Sequence, residues 1–148
     1  MAEAAGLSIR QARAADREDL ARLSTELGYP MSPAQTQARL AEIADHADHA
    51  ILVAESDGRV VAWLQVSLPR IFESPRQAEI AGLIVEEGVR GRGVGRALVA
   101  EAERWSRDQG CSALRVRSNV IRERAIAFYR RAGFAEVKTQ RVLEKPIA

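Results

Sequence analysis

A chain of 148 residues has the commonest size for one compact domain, and 47% hydrophobic content suffices to bury a core, which argues against a two-domain enzyme. Its 22 basic and 20 acidic residues leave a net charge of +2, too near balance for a nucleic-acid coat protein or a polybasic membrane anchor. The balance is uneven along the chain: residues 1–87 hold 8 basic and 14 acidic residues, net −6, whereas residues 88–148 hold 14 and 6, net +8. The second half should therefore attract an anion. Cys111 is the single cysteine and cannot form an internal disulfide, the Met1–Ser8 segment lacks a basic region followed by an apolar core, and no apolar run is long enough for a membrane span. A cytoplasmic protein is expected, with neither a membrane nor a nucleic acid as partner.

In chain order, Leu7 to Ala12 alternates apolar and polar side chains as a half-buried strand does, and Asp16 stands at the N-cap position of a helix carrying Leu20, Leu23 and Leu27. Gly28-Tyr29-Pro30 ends that helix, and Ser32-Pro33 starts a second with Leu40 and Ile43 on its apolar stripe. Two strands, Ala50–Glu55 and Val60–Leu68, flank a turn whose Asp57-Gly58 pair predicts an antiparallel hairpin. After a polar loop, Ala78–Val85 forms the next strand. Val94, Leu98, Val99, Ala102 and Trp105 then keep helical spacing until Gly110. A short strand (Ala113–Arg117), a helix (Arg122–Arg131) and a final strand region from Phe134 complete the chain, with Trp63 and Trp105 read as core. The order β-α-α-β-β-β-α-β-α-β describes an α/β (α+β) domain over residues 1–148. Its mixed, mostly antiparallel sheet has six to seven strands and four flanking helices, with a parallel pair late in the chain.

The segment Arg90-Gly91-Arg92-Gly93-Val94-Gly95-Arg96 joins a strand to a helix N-terminus. Glycines remove Cβ atoms where a ligand can approach backbone N–H groups, a helix start offers unpaired donors and a partial positive end, and three arginines add full charges. The ligand group expected there is a phosphate or pyrophosphate; the alternative is a glycine turn that merely reverses the chain. A P-loop is excluded because the segment has no lysine, and a dinucleotide fingerprint because the third glycine comes one place early. His46 and His49, three apart, could share a helix face, but no third ligand stands nearby and no metal is expected. Cys111 reads as a small buried hydrophobe rather than a nucleophile.

Arg-Gly-Arg-Gly-Val-Gly resembles the R/Q-x-x-G-x-G/A signature of the GNAT superfamily of acetyl-CoA-dependent N-acyltransferases. The Ala125–Phe134 stretch, with Phe128-Tyr129 and Gly133-Phe134, is similar to that family's A-x-x-F-Y-x-x-x-G-F segment, and the order of elements resembles the family's over residues 7 to 146. The resemblance implies acetyl-CoA as co-substrate, without a metal, and direct attack by a primary amine of a small molecule or peptide. The backbone of Leu83, Ile84 and Val85 would pair with the pantetheine arm, and the N–H groups of Gly91, Arg92, Gly93, Val94, Gly95 and Arg96, with Arg90 beside them, would hold the pyrophosphate. Val85 or a neighbouring amide would face the thioester oxygen. Asn119 would contact the cofactor arm or simply make the turn at the strand end. Tyr129 would protonate the leaving thiolate, its alternative being a packed core tyrosine. Glu79 resembles the glutamate base of histone-acetylating members and could equally be a solvated strand residue. The acceptor would lie where the first two helices, around Tyr29 to Pro33, and the final strands meet the splay beyond Val85. Ser118-Asn119-Val120 is similar to wording in aminoglycoside N-acetyltransferase-like members and also in protein and small-metabolite acetylators, so no substrate follows from it. A homodimer is a further family expectation. The rivals are a non-catalytic CoA or acyl-CoA sensor on the same scaffold and an arginine-rich nucleic-acid binder, the latter lacking an aromatic-interleaved basic strand.

Overall fold

The computed structural model describes residues 6–148; residues 1–5, part of the stretch read above as free of an export leader, lie outside them. Its elements are β1 (Leu7–Gln11), α1 (Arg17–Glu26), α2 (Pro33–Ala44), β2 (His49–Ser56), β3 (Arg59–Ser67), β4 (Gln77–Val85), α3 (Val94–Asp108), β5 (Ala113–Val116) and α4 (Glu123–Arg131). One unit comprises the chain through Arg117, and a second comprises Ser118–Ala148. Within the first, the sheet runs β1-β2-β3-β4-β5, antiparallel throughout except for the parallel β4–β5 pair.

Local chemistry accounts for most element boundaries. The hairpin turn places Asp57 at φ 52° and Gly58 at φ 77°, the two positive values that a two-residue turn needs to match strand twist. Ser32 and Gln35 close a reciprocal cap on α2: the Ser32 hydroxyl accepts from the Gln35 N–H at 3.1 Å, and the Gln35 side chain accepts from the Ser32 N–H at 3.0 Å. Asp16 behaves differently from the expected cap. Its side chain makes no capping bond to α1; it is buried, accepts two bonds from the Arg10 guanidinium at 2.8 Å each, and accepts a third from the Arg13 N–H at 2.9 Å. The residue thus clasps β1 to the turn before α1 instead of capping the helix.

One face of the sheet aligns Val53, Trp63 and Ile84 across three strands, and Leu20 and Leu23 of α1 pack onto it, with Leu40 of α2 at the margin. Leu52 and Leu64, facing the other way, are also buried. Helix α3 meets β2, β3 and β4 through a stripe of Val94, Leu98, Val99 and Ala102 without joining the α1 cluster. Both tryptophans read as core are only partly buried, Trp63 packing against the α1 cluster.

In the second unit, α4 follows an Asn119 turn, and residues 134–148 form neither helix nor strand. The strand expected from Phe134 does not form there. Among the described residues the sheet has five strands, not six to seven, because a segment becomes a strand only where its backbone groups find a neighbouring ladder. Val137, Val142, Leu143 and Ile147 are exposed along that segment.

Candidate active site

Strand β4 is paired on both edges only at its start. Gln77 to Ile80 align with Ala113 to Val116 of β5, which then ends, so that among the described residues no strand runs beside β4 from Ala81 to Val85 on that edge. A register shift between Gln65 and Val66 of β3 leaves Ala81 without an opposite residue, a one-residue bulge where the two strands part.

Backbone alternation fixes what faces the open edge. The Glu86 N–H donates to Val61 O at 2.8 Å, so Glu86 points toward β3; because successive residues alternate, Ile84 points the same way while Val85 and Leu83 turn to the unpaired edge. Consistently, the Val85 carbonyl accepts from Arg90 Nε at 3.2 Å instead of from β3. Of the three strand residues singled out in the sequence, Leu83 and Val85 present backbone groups to the gap, and Ile84 serves through a side chain buried under α1.

The gap leads into the glycine loop. Gly91 and Gly93 both take φ 82°, a conformation that L side chains rarely adopt, and a Cβ on either would meet no protein atom. Gly93 is the N-cap of α3 and has no side chain to satisfy the first turn. Outside helical bonding, no backbone acceptor meets the N–H groups of Gly91, Arg92, Gly93, Val94, Gly95 or Arg96 among the described residues, and the first turn of a helix supplies none. The side chains of Arg92 and Arg96 are exposed and, among the described residues, meet no ion-pair or hydrogen-bond partner. Open space, left-handed glycines, free donors and uncommitted guanidinium groups suit a pyrophosphate, so the loop fits the phosphate end of CoA.

Glu79 stands two residues before the bulge, where β4 is still paired to both neighbours, and its carboxylate accepts from Arg117 Nε at 2.8 Å. That ion pair occupies one of its oxygens. Asn119 and Tyr129 belong to the second unit. The Asn119 side chain accepts from the Ile121 N–H at 3.1 Å, making the turn that leads to α4. The Tyr129 ring meets Phe128 and Phe134 edge-on, with centroids 5.1 and 5.5 Å away, and burial pushes its phenol up to about 12.

The remaining sequence candidates fall elsewhere. Helix α2 ends at Ala44, so His46 and His49 do not share a helix face; their rings meet edge-on at 6.1 Å. No three metal-ligating side chains converge among the described residues. Cys111 is half-buried, not fully enclosed, and its N–H donates to Ser106 O. Tyr29, in the α1–α2 connection, is half exposed. Sequence reasoning missed the cluster around Glu86, whose Oε1 accepts from Arg22 at 2.6 Å and from Arg59 at 2.7 Å. Only a length-specific contact between distant elements reveals it, and no local motif carries that signal.

Residues 16–134 match the acetyltransferase (GNAT) family model. The chain is 34% identical over 140 residues to an aminoglycoside N(6')-acetyltransferase type 1 of Stenotrophomonas maltophilia, covering 92% of this chain and 90% of the relative. It is 33% identical over 116 residues to a glucosamine 6-phosphate N-acetyltransferase 1 of Oryza sativa subsp. japonica, covering 75% and 68%. The structure of AAC(6')-Iy in complex with a bisubstrate analog, CoA-S-monomethyl-acetylneamine, superimposes with a TM-score of 0.84 at 21% identity, covering 95% and 99%, a likeness of fold. With the split β4 edge and the glycine loop at the start of α3, these matches make the chain a member of the acetyltransferase (GNAT) family.

Proposed function

We propose that this acetyl-CoA-dependent N-acetyltransferase acts on a primary amine of a small cationic molecule, an amino sugar being the best fit, and works as one catalytic domain across residues 1–148. The observation that carries the reading is the unpaired edge of β4 running directly into the free N–H groups at the start of α3. The aminoglycoside-acetylating relative and the net −6 of residues 1–87 support a cationic acceptor. The match over residues 16–134 supports one working domain.

When bound, acetyl-CoA supplies a thioester whose carbonyl carbon a neutral amine attacks, forming the C–N bond as the C–S bond breaks. The chain's part is to hold and polarise. Leu83 and Val85 offer backbone groups to the pantetheine arm along the open edge, and the Gly91–Arg96 amides with Arg90, Arg92 and Arg96 hold the phosphates. The Val85 N–H is the donor placed for oxygen charge that develops during attack; one such donor is worth about 3 kcal/mol.

Tyr129 keeps its proton at every physiological pH. Passing it fully from a phenol near 12 to a thiolate whose acid titrates near about 8.5 is uphill by roughly 5 kcal/mol, so its hydroxyl serves by hydrogen bonding to sulfur as charge grows there. Glu79, paired with Arg117, takes the ammonium proton through water. A cytoplasmic location and a homodimer complete the reading, supported respectively by the lone Cys111 and by the exposed Val137, Val142, Leu143 and Ile147.

The test is thiol release from acetyl-CoA across amines, with amino sugars, a lysine peptide and a neutral amine compared. Preference for the amino sugars is expected. Exclusive use of the peptide overturns the acceptor assignment.

A further inference from the structure

We infer that Arg22 of α1 is a positioning residue for acetyl transfer: through Glu86 it fixes the end of β4 and hence the direction of the Val85 N–H. The inference rests on the role proposed above for that amide. One guanidinium donates to three oxygens, those of Val60, Asp19 and Glu86. Beside the register shift between Ala54 and Glu55, Val60 hands both backbone groups to α1, its N–H to Asp19 Oδ2 at 3.1 Å and its carbonyl to Arg22 at 3.1 Å. Arg22 is itself braced by Asp19 Oδ1 at 3.5 Å. Its other terminal nitrogen donates to Glu86 Oε1 at 2.6 Å. Glu86 directly follows β4, and its own N–H is held by Val61 O at 2.8 Å.

Glu86 is therefore gripped by backbone on one side and by side chains on the other, and Val85 is the residue immediately before it. The Glu86 side chain is 15% exposed and that of Arg22 is 26%, so solvent screens this grip less than it screens an ordinary surface pair. Arg59 also reaches Glu86 at 2.7 Å but is 54% exposed and belongs to β3, which leaves Arg22 as the connector to α1. The phosphate cradle is held separately, by the buried α3 stripe of Val94, Leu98 and Val99. Removing the Arg22 link should accordingly disturb the chemical step more than CoA binding.

The experiment uses the full chain as Arg22→Met, Arg22→Lys and Glu86→Gln, assayed well below each variant's Tm. CoA dissociation constants, kcat at saturating donor and acceptor, and amide hydrogen exchange over residues 81–89 are measured. Arg22→Met should lower kcat by about 10- to 100-fold, the loss that a displacement near 1 Å produces, while the CoA Kd changes less than about threefold. Exchange over 81–89 should rise. Arg22→Lys should recover part of kcat, and Glu86→Gln, which keeps the accepting oxygen, should fall between Lys and Met. Wild-type kcat in folded Arg22→Met overturns the inference, as does a kcat loss matched by equal loss of CoA affinity. Should Arg22→Met fail to fold, unchanged kcat and exchange in Glu86→Gln also overturn it. A wild-type chain that turns over no amine overturns the proposed function instead, and exchange over 81–89 still decides the role of Arg22.

Discussion

Gly93 does two things at once, holding a left-handed backbone angle and leaving room above the first turn of α3. Since a Cβ there would touch no protein atom, replacing it by valine strains the backbone and projects into the space a phosphate needs, without clashing inside the fold. Gly93→Val should abolish measurable CoA binding in calorimetry while the chain still unfolds cooperatively. Arg92 and Arg96 offer a gentler probe. Neither has a partner to lose among the described residues, so Arg96→Ala should weaken CoA by about tenfold, near 1.5 kcal/mol, and leave Tm unchanged. For Tyr129, the phenylalanine variant should keep CoA affinity and lower kcat by about tenfold or more. Its useful form is the protonated one, which persists until pH approaches about 12, so an alkaline decline in rate below pH 10 must belong to another group. If Tyr129→Phe turns over normally, the hydroxyl has no part in departure of the thiol.

At the scale of elements, the Asp16 clasp between β1 and α1 is the clearest stability device. Burial works against its charge, but the Arg10 guanidinium and the Arg13 N–H outweigh burial and hold the carboxyl below its ordinary 3.8. A carboxyl depressed in the folded state contributes stability that is present above its unfolded pKa and lost as pH falls through the folded one. Asp16→Ala should therefore destabilise the chain by about 2 kcal/mol at pH 7, roughly 6 °C in Tm, and the difference from wild type should shrink below pH 4. Equal loss at pH 3 and pH 7 would show packing, rather than charge, at work. Elements governed by neighbouring residues were legible in the sequence: the Asp57-Gly58 turn, the Ser32-Pro33 helix start and the strand-to-helix glycine loop. Asp16 looked like a cap because its type and place suited one, yet Arg10, six residues earlier, claimed its carboxylate. The strand from Phe134 failed for the complementary reason, since the local sequence says nothing of whether a ladder is available. The site divides along the same line. The glycine loop at the start of α3 could be read from spacing, whereas the Ala81 bulge, the outward turn of Leu83 and Val85, and the Arg22–Glu86 contact arise from register and tertiary placement.

Across the whole molecule, the charge division matters more than the net +2. Residues 88–148, at +8, include the guanidinium groups around the glycine loop, and residues 1–87, at −6, supply the expected attraction for a cationic acceptor. Both attractions should weaken as salt shortens the Debye length from about 10 Å at 0.1 M to about 3 Å at 1 M. The Kd for CoA and the KM for a polyamine acceptor should then rise together with salt, while kcat stays nearly constant. A KM insensitive to salt would remove the electrostatic argument for a cationic acceptor. The central claim is that this chain binds acetyl-CoA along the open edge of β4 and transfers its acetyl group to an amine. The most direct measurement follows acetyl-CoA consumption and acetylated product together, by mass spectrometry, with an amino sugar as acceptor. One acetylated amine formed per thiol released, lost in Gly93→Val, is the predicted result; tight CoA binding with no acetylated product from any amine would contradict it and favour a CoA-sensing protein.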